Sequence, residues 1–589
     1  MQNKSLSIDK GYQKQTEINH FQNKLYHDSK NLLQNQQDKI NNIEYNIKQH
    51  SYFYNDQFLD QIQSSDDEQN NFPDLQKDGS STNKQKYSEK SRQRSGTSGL
   101  ISACALSKIG KKVLVLEQHD RLGGCFHQFT EQGFEFDTGF HYVGNCKEIK
   151  AFQNIFGGKK VKWNTFPHYD TIQLDKEQFK LYGPSKEFYS QLNIQFPENE
   201  KEISSFKKYS YQSAKLQRIL VFANYMPCIF RKIIKYYLKI TYPDIYMKTT
   251  NQVLKKIGLD KFPKLKLVLC GNALDLGSNL DELPFVMMAS LQQHYYRNGS
   301  MYPQHGTNDI IKSYAGAIQA NGGTLLTKAN VEKILVQNGK VQGVSLKGDI
   351  QIFAKKVIST MGVPNTIKAL PEKYHWENKY RYNDAFNCIN VFLGINTKGI
   401  DRSELPTYNT WYYPPQKGEN GKIDWNFENM QKNSLKYQDK QHRALFITFP
   451  SVKDDIEKDK QSCCIISESR WEFFEKFRIN EVRREDGYKE LKKQILDEVI
   501  EKFLEIHPQF KDRIEYSDLG TPLTNETYYG RKTPYGLHFT TEKMFSDKLT
   551  KAQTPVKNLY LSGQDIIFPG IIGGLMQGLL STAQAEEII

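Results

Sequence analysis

The run Lys112-Val113-Leu114-Val115-Leu116-Glu117-Gln118-His119-Asp120-Arg121-Leu122-Gly123-Gly124 constrains the fold more than any other part of the 589-residue chain. Val113 to Leu116 form a continuous apolar stretch, which is what a parallel strand covered on both faces requires. The stretch ends in Glu117, a carboxylate placed to accept hydrogen bonds from the ribose hydroxyls of an adenine dinucleotide. Arg121 can meet pyrophosphate charge, and Gly123-Gly124 lets backbone N–H groups approach phosphates with no Cβ between them. An ordinary core strand with an exposed acidic end would share the apolar run. The spacing Glu-x-x-x-Arg-x-Gly-Gly is what separates the two.

Upstream, Ser95-Gly96-Thr97-Ser98-Gly99-Leu100 opens a run of small residues that predicts a helix able to pack close to a sheet. Gly96 stands about 20 positions before Glu117, the spacing expected between phosphate turn and ribose acid. A full dinucleotide fingerprint wants Gly-x-Gly-x-x-Gly directly after an apolar strand. Here Arg94 holds the first glycine position, and Lys86-Tyr87-Ser88-Glu89-Lys90-Ser91-Arg92-Gln93 is too polar for the central strand of a parallel sheet. The polypeptide with these residues is therefore expected to bind a dinucleotide poorly. The transcript is expected to encode an apolar strand and Gly-x-Gly before Thr97.

Residues 1–90 are dominated by Asn, Gln, Lys, Asp and Ser and are predicted to be a disordered leader; no secretory signal is visible in them. The net charge of +13 raises the question of nucleic acid. The basic residues are scattered, however, and no groove-binding or base-stacking motif accompanies them, so no nucleic-acid partner is expected. The eight cysteines show no paired metal spacing, which predicts reduced thiols and no metal site. No run of 18 apolar residues occurs, which argues against a spanning helix. Between Ile229 and Ile240, apolar Ile229, Phe230, Ile233, Ile234, Tyr237 and Leu238 recur at helical spacing, with Arg231, Lys232, Lys235 and Lys239 between them. That is the pattern of a basic helix lying on a membrane surface. A surface helix with one face on the core has the same period.

The middle of the chain repeats a helix–strand logic. Asn308 to Ala320 predicts a helix, Thr324 to Lys328 a strand, and Val331–Val336 with Lys340–Leu346 a hairpin turning at Asn338-Gly339. Lys355 to Ser359 predicts another buried strand. Near the C-terminus, Asn558 to Leu561 reads as a strand leading to Gly563 and Asp565; Gly570, Gly573 and Gly574 then precede a helix predicted from about Leu575 to Glu587. Those glycines are expected to clear space for a bulky ligand at a helix N-terminus.

With Gly123-Gly124-Cys125, Phe136-Asp137-Thr138-Gly139-Phe140-His141-Tyr142-Val143-Gly144, Tyr302-Pro303, Gly520-Thr521-Pro522-Leu523-Thr524-Asn525 and Leu561-Ser562-Gly563-Gln564-Asp565, residues 95–589 resemble the retinol saturases. That family belongs with the carotenoid isomerase and phytoene desaturase flavoproteins. The resemblance implies an α/β fold: a Rossmann-like FAD/NAD(P)-binding domain of the glutathione-reductase type with an inserted mixed α+β substrate domain. On this reading, segments 91–165, 301–365 and 551–589 build the FAD domain. Segment 166–300 supplies the helical part of the substrate domain and 366–550 its sheet.

The implied activity is FAD-dependent saturation of a C=C bond in a retinoid or polyisoprenoid, by hydride from reduced flavin plus a proton. Cis-trans isomerisation or desaturation is the alternative within the family, and a flavin-free lipid-binding protein the alternative outside it. Cofactor contacts are implied at Gly96, Gly99, Glu117, Gln118, Arg121, Gly123, Gly124, His141, Val331, Gly563, Asp565, Gly573 and Gly574. His141, Tyr142 and Tyr302 are the candidate proton donors, with packing against the flavin as the other role for His141. NAD(P)H is a candidate electron donor, although no second nicotinamide fingerprint is present. Association with an internal membrane such as the endoplasmic reticulum is expected. The sequence does not fix the oligomeric state.

Overall fold

The computed structural model describes residues 95–588, except 224–227, 377–385, 419–421, 435–442, 455, 457, 481, 547–550 and 567. The expected leader (1–90) and the block Lys86–Arg94 lie outside the described residues.

Two pairs of short parallel strands carry the dinucleotide-domain logic. Leu114–Leu116 pairs with Thr324–Leu326, and Val357–Ser359 pairs with Leu559–Leu561. Among the described residues these form two separate two-stranded sheets. Helix Thr97–Lys108 packs on helix Gly570–Ala585, burying Leu100, Ile101 and Leu575. Burial of such side chains stabilises by roughly 1.5–3 kcal/mol each. The C-terminal helix starts five residues before its predicted start near Leu575, so Gly573 and Gly574 lie inside its first turns. Close helix packing explains their neighbours. A Cβ at Gly574 would collide with Thr97 Oγ1, and one at Gly578 with the Ser98 carbonyl. Ser102 Oγ donates to the Gly578 carbonyl at 2.9 Å across the same contact.

The predicted hairpin forms as Val331–Gln337 and Lys340–Leu346, joined by Gln351–Phe353 as a third strand. Its turn holds Asn338 at φ +50° and Gly339 at φ +71°, the left-handed pair that a two-residue hairpin needs.

The inserted part is built on a seven-stranded sheet. Its order is Ile514–Gly520, Asn387–Asn396, Lys460–Ser469, Leu445–Thr448, Asn409–Tyr413, His168–Leu174 and Glu177–Tyr182. The last two strands come from the segment expected to supply helices. All neighbours are antiparallel except Asn409–Tyr413 with His168–Leu174. One apolar cluster joins the sheet to helices including Glu200–Ala223 and Phe285–Tyr296, while another packs Ile495, Val499 and Phe503 of helix Tyr488–Ile506 onto Val391 and Ile465. The sheet is thus covered on both faces, as its continuous buried strands require.

Candidate active site

The predicted phosphate turns come together. Gly123 (φ +111°) and Gly124 (φ +59°) have the backbone that glycine permits, and a Cβ on Gly124 would sit 3.2 Å from the Gly96 Cα. The N-terminus of helix Thr97–Lys108 opens at this contact, with N–H groups that have no partner within the helix. Glu117 closes the turn from below. It is fully buried; its Oε2 accepts from the Ser95 N–H and, at 2.8 Å, from Ser95 Oγ, while Oε1 accepts from the His119 N–H at 3.0 Å. Its carboxylate therefore ties the turn to the strand.

A cavity of about 270 Å³ runs from these turns into the sheet domain. Gly96, Thr97, Ser98, Gly123 and Gly124 line one end, with Gly563, Asp565, Gly570 and Gly574 from the C-terminal segment. The other end is lined by His141, Asp275, Cys388, Phe446, Ile466 and Tyr535. Several predicted positions lie elsewhere. Gly99 sits in the helix just beyond the turn, and Gly573 faces its own loop, where a Cβ would strike the Phe568 carbonyl. Arg121 donates to the Gln128 carbonyl at 3.2 Å, and the Gln118 amide meets the His119 ring at 2.8 Å. Val331 is fully buried at the start of the hairpin.

Asp565 lines the cavity beside Gly563, Gly570 and Gly574. Arg531 donates to its Oδ1 at 2.8 Å, the Leu537 N–H to Oδ1 at 3.1 Å and the Val363 N–H to Oδ2 at 2.9 Å. Burial raises the Asp565 pKa, but Arg531, Lys543 and these donors outweigh it, leaving the carboxyl below its usual value and ionised. Arg531 and Lys543 thus offset a buried negative charge here, as a buried carboxylate requires.

The motif Phe136 to Gly144 places its side chains in different settings. Asp137 is buried and accepts from Tyr302 Oη at 2.6 Å and Thr307 Oγ1 at 3.1 Å. Tyr302 is therefore spent on a structural bond in the core and does not reach the cavity. His141 does reach it, and neither of its buried ring nitrogens has a hydrogen-bond partner. Burial first, then the Lys453 charge, pull its pKa down to about 3, so the imidazole is neutral at physiological pH. A neutral ring with unsatisfied nitrogens suits a hydrogen bond to a ligand and cannot act as a standing cationic acid.

Tyr142 is buried, stacks on Tyr295 at 4.3 Å and donates to Asp170 Oδ2 at 3.2 Å. Asp170 Oδ1 accepts from Asn409 Nδ2 at 2.9 Å. Behind it, fully buried Lys453 donates to Asn409 Oδ1, to Thr448 Oγ1 at 2.8 Å and to the His141 carbonyl at 3.1 Å. Burial lowers the Lys453 pKa to about 7 and raises those of Asp137 and Asp170 to about 7, each partly offset by the opposite charges nearby. The result is a set of buried groups near the His141-Tyr142 pair whose pKa values are all displaced towards neutrality.

The sequence reading missed Asp170, Asp275, Lys453 and Arg531. None lies in a spaced motif; each gains its setting from segments far apart in the chain. Among the described residues, no group of His, Cys, Asp and Glu is arranged to hold a metal.

A family model described as an NAD(P)-binding Rossmann-like domain matches residues 95–156. An all-trans-retinol 13,14-reductase of Danio rerio is 31% identical over 82% of this chain and 84% of its own length. A prolycopene isomerase 1 of an Oncidium hybrid cultivar is 26% identical over 83% and 81%. Among solved structures, cyclohexylamine oxidase from Brevibacterium oxydans superposes with a TM-score of 0.52 at 14% identity, covering 85% of this chain and 99% of that one, which establishes the shared fold. A Rossmann-like dinucleotide domain with an inserted sheet domain, and this extent of identity, make the chain an oxidoreductase that belongs to the all-trans-retinol 13,14-reductase family.

Proposed function

We propose that the protein is an FAD-dependent oxidoreductase that saturates a C=C bond of a retinoid or related polyene. The observation that carries this reading is that one cavity is lined both by the glycine turns and by His141, Phe446 and Ile466. The residues suit a flavin: Gly96, Gly123 and Gly124 line the cavity with no side chain in the way of a pyrophosphate, and the helix start at Gly570 faces the same space. His141, with two unsatisfied ring nitrogens, supplies a hydrogen-bonding partner beside it. When bound, the flavin would supply hydride chemistry. The chain's own residues would hold the polyene against Phe446 and Ile466, keep water out and hold a proton behind Tyr142.

Isomerisation of a polyene is the second reading, favoured by the prolycopene isomerase similarity. Purified protein saturated with FAD, chemically reduced without oxygen and mixed with all-trans-retinol, separates the two. Loss of polyene absorbance with a two-hydrogen mass gain supports saturation. An unchanged mass with altered double-bond geometry supports isomerisation. Adding NADH or NADPH in place of the chemical reductant tests either nucleotide as donor.

A membrane surface is the proposed site of substrate uptake. Helix Cys228–Thr241 supports it by its orientation: Ile229, Phe230, Ile233, Tyr236 and Ile240 are each at least 60% exposed, while Arg231 and Leu238 face inward. An apolar face turned outward between lysines is the arrangement of an interfacial helix. Among the described residues, no helix is long and apolar enough to cross a membrane.

A further inference from the structure

We propose that His141 binds the hydroxyl of a polyene alcohol and thereby selects alcohols over hydrocarbon polyenes; this rests on the retinoid reading above. His141 is 8% exposed, lines the cavity, and has no hydrogen-bond partner on either ring nitrogen. Buried polar atoms without partners are costly, so two on one ring mark where a ligand completes the bonding. A neutral imidazole offers one N–H donor and one bare nitrogen, and an alcohol hydroxyl both donates and accepts. A hydroxyl therefore pairs with whichever nitrogen it meets. A hydrocarbon end pairs with neither. The walls fit such a ligand: Phe446 stands 5.7 Å from the imidazole, centroid to centroid, and lines the cavity together with Ile466. An apolar wall beside an open polar ring matches a molecule that is hydrocarbon except for one terminal oxygen. Asp275 lines the same cavity, but it is only half-buried and can keep a water.

No hydrogen bond orients the imidazole itself, so its aim is set by the chain on either side. Lys453 Nζ donates to the His141 carbonyl at 3.1 Å. Tyr142 stacks on Tyr295 at 4.3 Å and donates to Asp170 Oδ2 at 3.2 Å. Val143 exchanges backbone hydrogen bonds of 2.9 and 2.7 Å with Met301, and the Gly144 N–H donates to His294 Nε2 at 2.9 Å. Residues 141–144 are thus fixed before a ligand arrives, and binding need not order the segment that carries the ring.

The test measures equilibrium binding to FAD-saturated, oxidised protein, in which no saturation follows. All-trans-retinol is compared with its deoxy analogue, the same polyene with hydrogen in place of the hydroxyl. The ratio of the two dissociation constants is taken for wild type, His141→Phe, His141→Gln and Asp275→Ala, so the ligands' different solubilities cancel between proteins. His141→Phe is expected to lower the preference for retinol about tenfold, the worth of one buried hydrogen bond, with flavin absorbance retained. His141→Gln keeps a donor and an acceptor and should hold most of the preference. A His141→Phe ratio within about threefold of wild type, or a His141→Gln ratio as low as that of His141→Phe, overturns the assignment. A fall confined to Asp275→Ala gives the hydroxyl to that carboxyl and overturns it too. Wild type that binds neither ligand overturns the retinoid reading and this proposal together. Wild type that shows the preference, yet leaves retinol unchanged once its flavin is reduced, overturns the saturation reading alone and leaves His141 with the hydroxyl.

Discussion

At the scale of single residues, Glu117 shows how a motif residue can be legible in type and differ in role. The strand, the acid and the glycine turn were all readable from the sequence; that Ser95 would occupy the carboxylate was not, because its bonds depend on how the chain enters the turn. Replacing Glu117 by Ala leaves the buried Ser95 donors and the half-buried His119 N–H without their acceptor, at a cost of about 1–3 kcal/mol. The flavin-free protein is thus expected to lose thermal stability; if only FAD affinity falls and the melting temperature holds, Glu117 serves the ribose instead. The buried acids give a pH signature. Asp170 is raised to about 7, so the folded protein keeps a proton that the unfolded chain has released between the ordinary carboxylate range and pH 7. Stability from this group is therefore full in acid and declines as pH rises from about 4 to 7. Relative to wild type, Asp170→Asn should gain melting temperature steadily from pH 5 to pH 7, whatever constant loss its altered bonds cause. A difference that stays flat over that interval would contradict the raised pKa.

At the scale of elements, periodic segments were read well and orientations less so. The helices near 97–108 and 308–320 and the Asn338-Gly339 hairpin follow from local signals that need no partner. Helix Cys228–Thr241 was readable as a helix, but its period fits an apolar face turned either way, and only packing decides. Its Arg231 and Leu238 face inward and Lys235 bonds the Phe545 carbonyl, so the apolar ridge is left outside. Changing Phe230, Ile233 and Ile240 together to Ser should weaken co-sedimentation with anionic liposomes while leaving the melting temperature nearly unchanged, since exposed substitutions usually shift stability by under about 0.5 kcal/mol each. Unchanged sedimentation would exclude this helix as the contact. In the C-terminal helix, Gly570, Gly573 and Gly574 were read as room for a ligand; Gly570 and Gly574 line the cavity, while Gly573 is closed against the Phe568 carbonyl.

At the scale of the whole molecule, the dinucleotide domain is assembled from segments hundreds of residues apart, and its described strands form two parallel pairs, not one sheet. In a doubly wound fold the first strand lies centrally and launches the phosphate turn from its carboxyl end. Here that turn begins at Ser95-Gly96, directly after Lys86–Arg94. Charged residues cannot replace Val and Ile in a covered strand without burying unpaired groups, at roughly several kcal/mol. Arg94 also puts a side chain where the turn needs glycine. Nearly everything the fingerprint needs after Gly96 is present, from Gly123-Gly124 to Asp565, with His305 in place of a glycine after Tyr302-Pro303 as a separate departure; gradual loss of cofactor binding would have scattered changes across Glu117, Gly124 and Asp565 too. The polypeptide bearing Glu89–Arg94 is therefore expected to hold well under one FAD per chain. Replacing that block by an apolar strand and Gly-x-Gly should raise the flavin-to-protein absorbance ratio towards one. Sequencing cDNA across the junction should return such a strand before Thr97. If the transcript encodes Glu89–Arg94 and its product still carries stoichiometric FAD, the domain builds its central strand from residues that this physical argument rejects, and the argument fails.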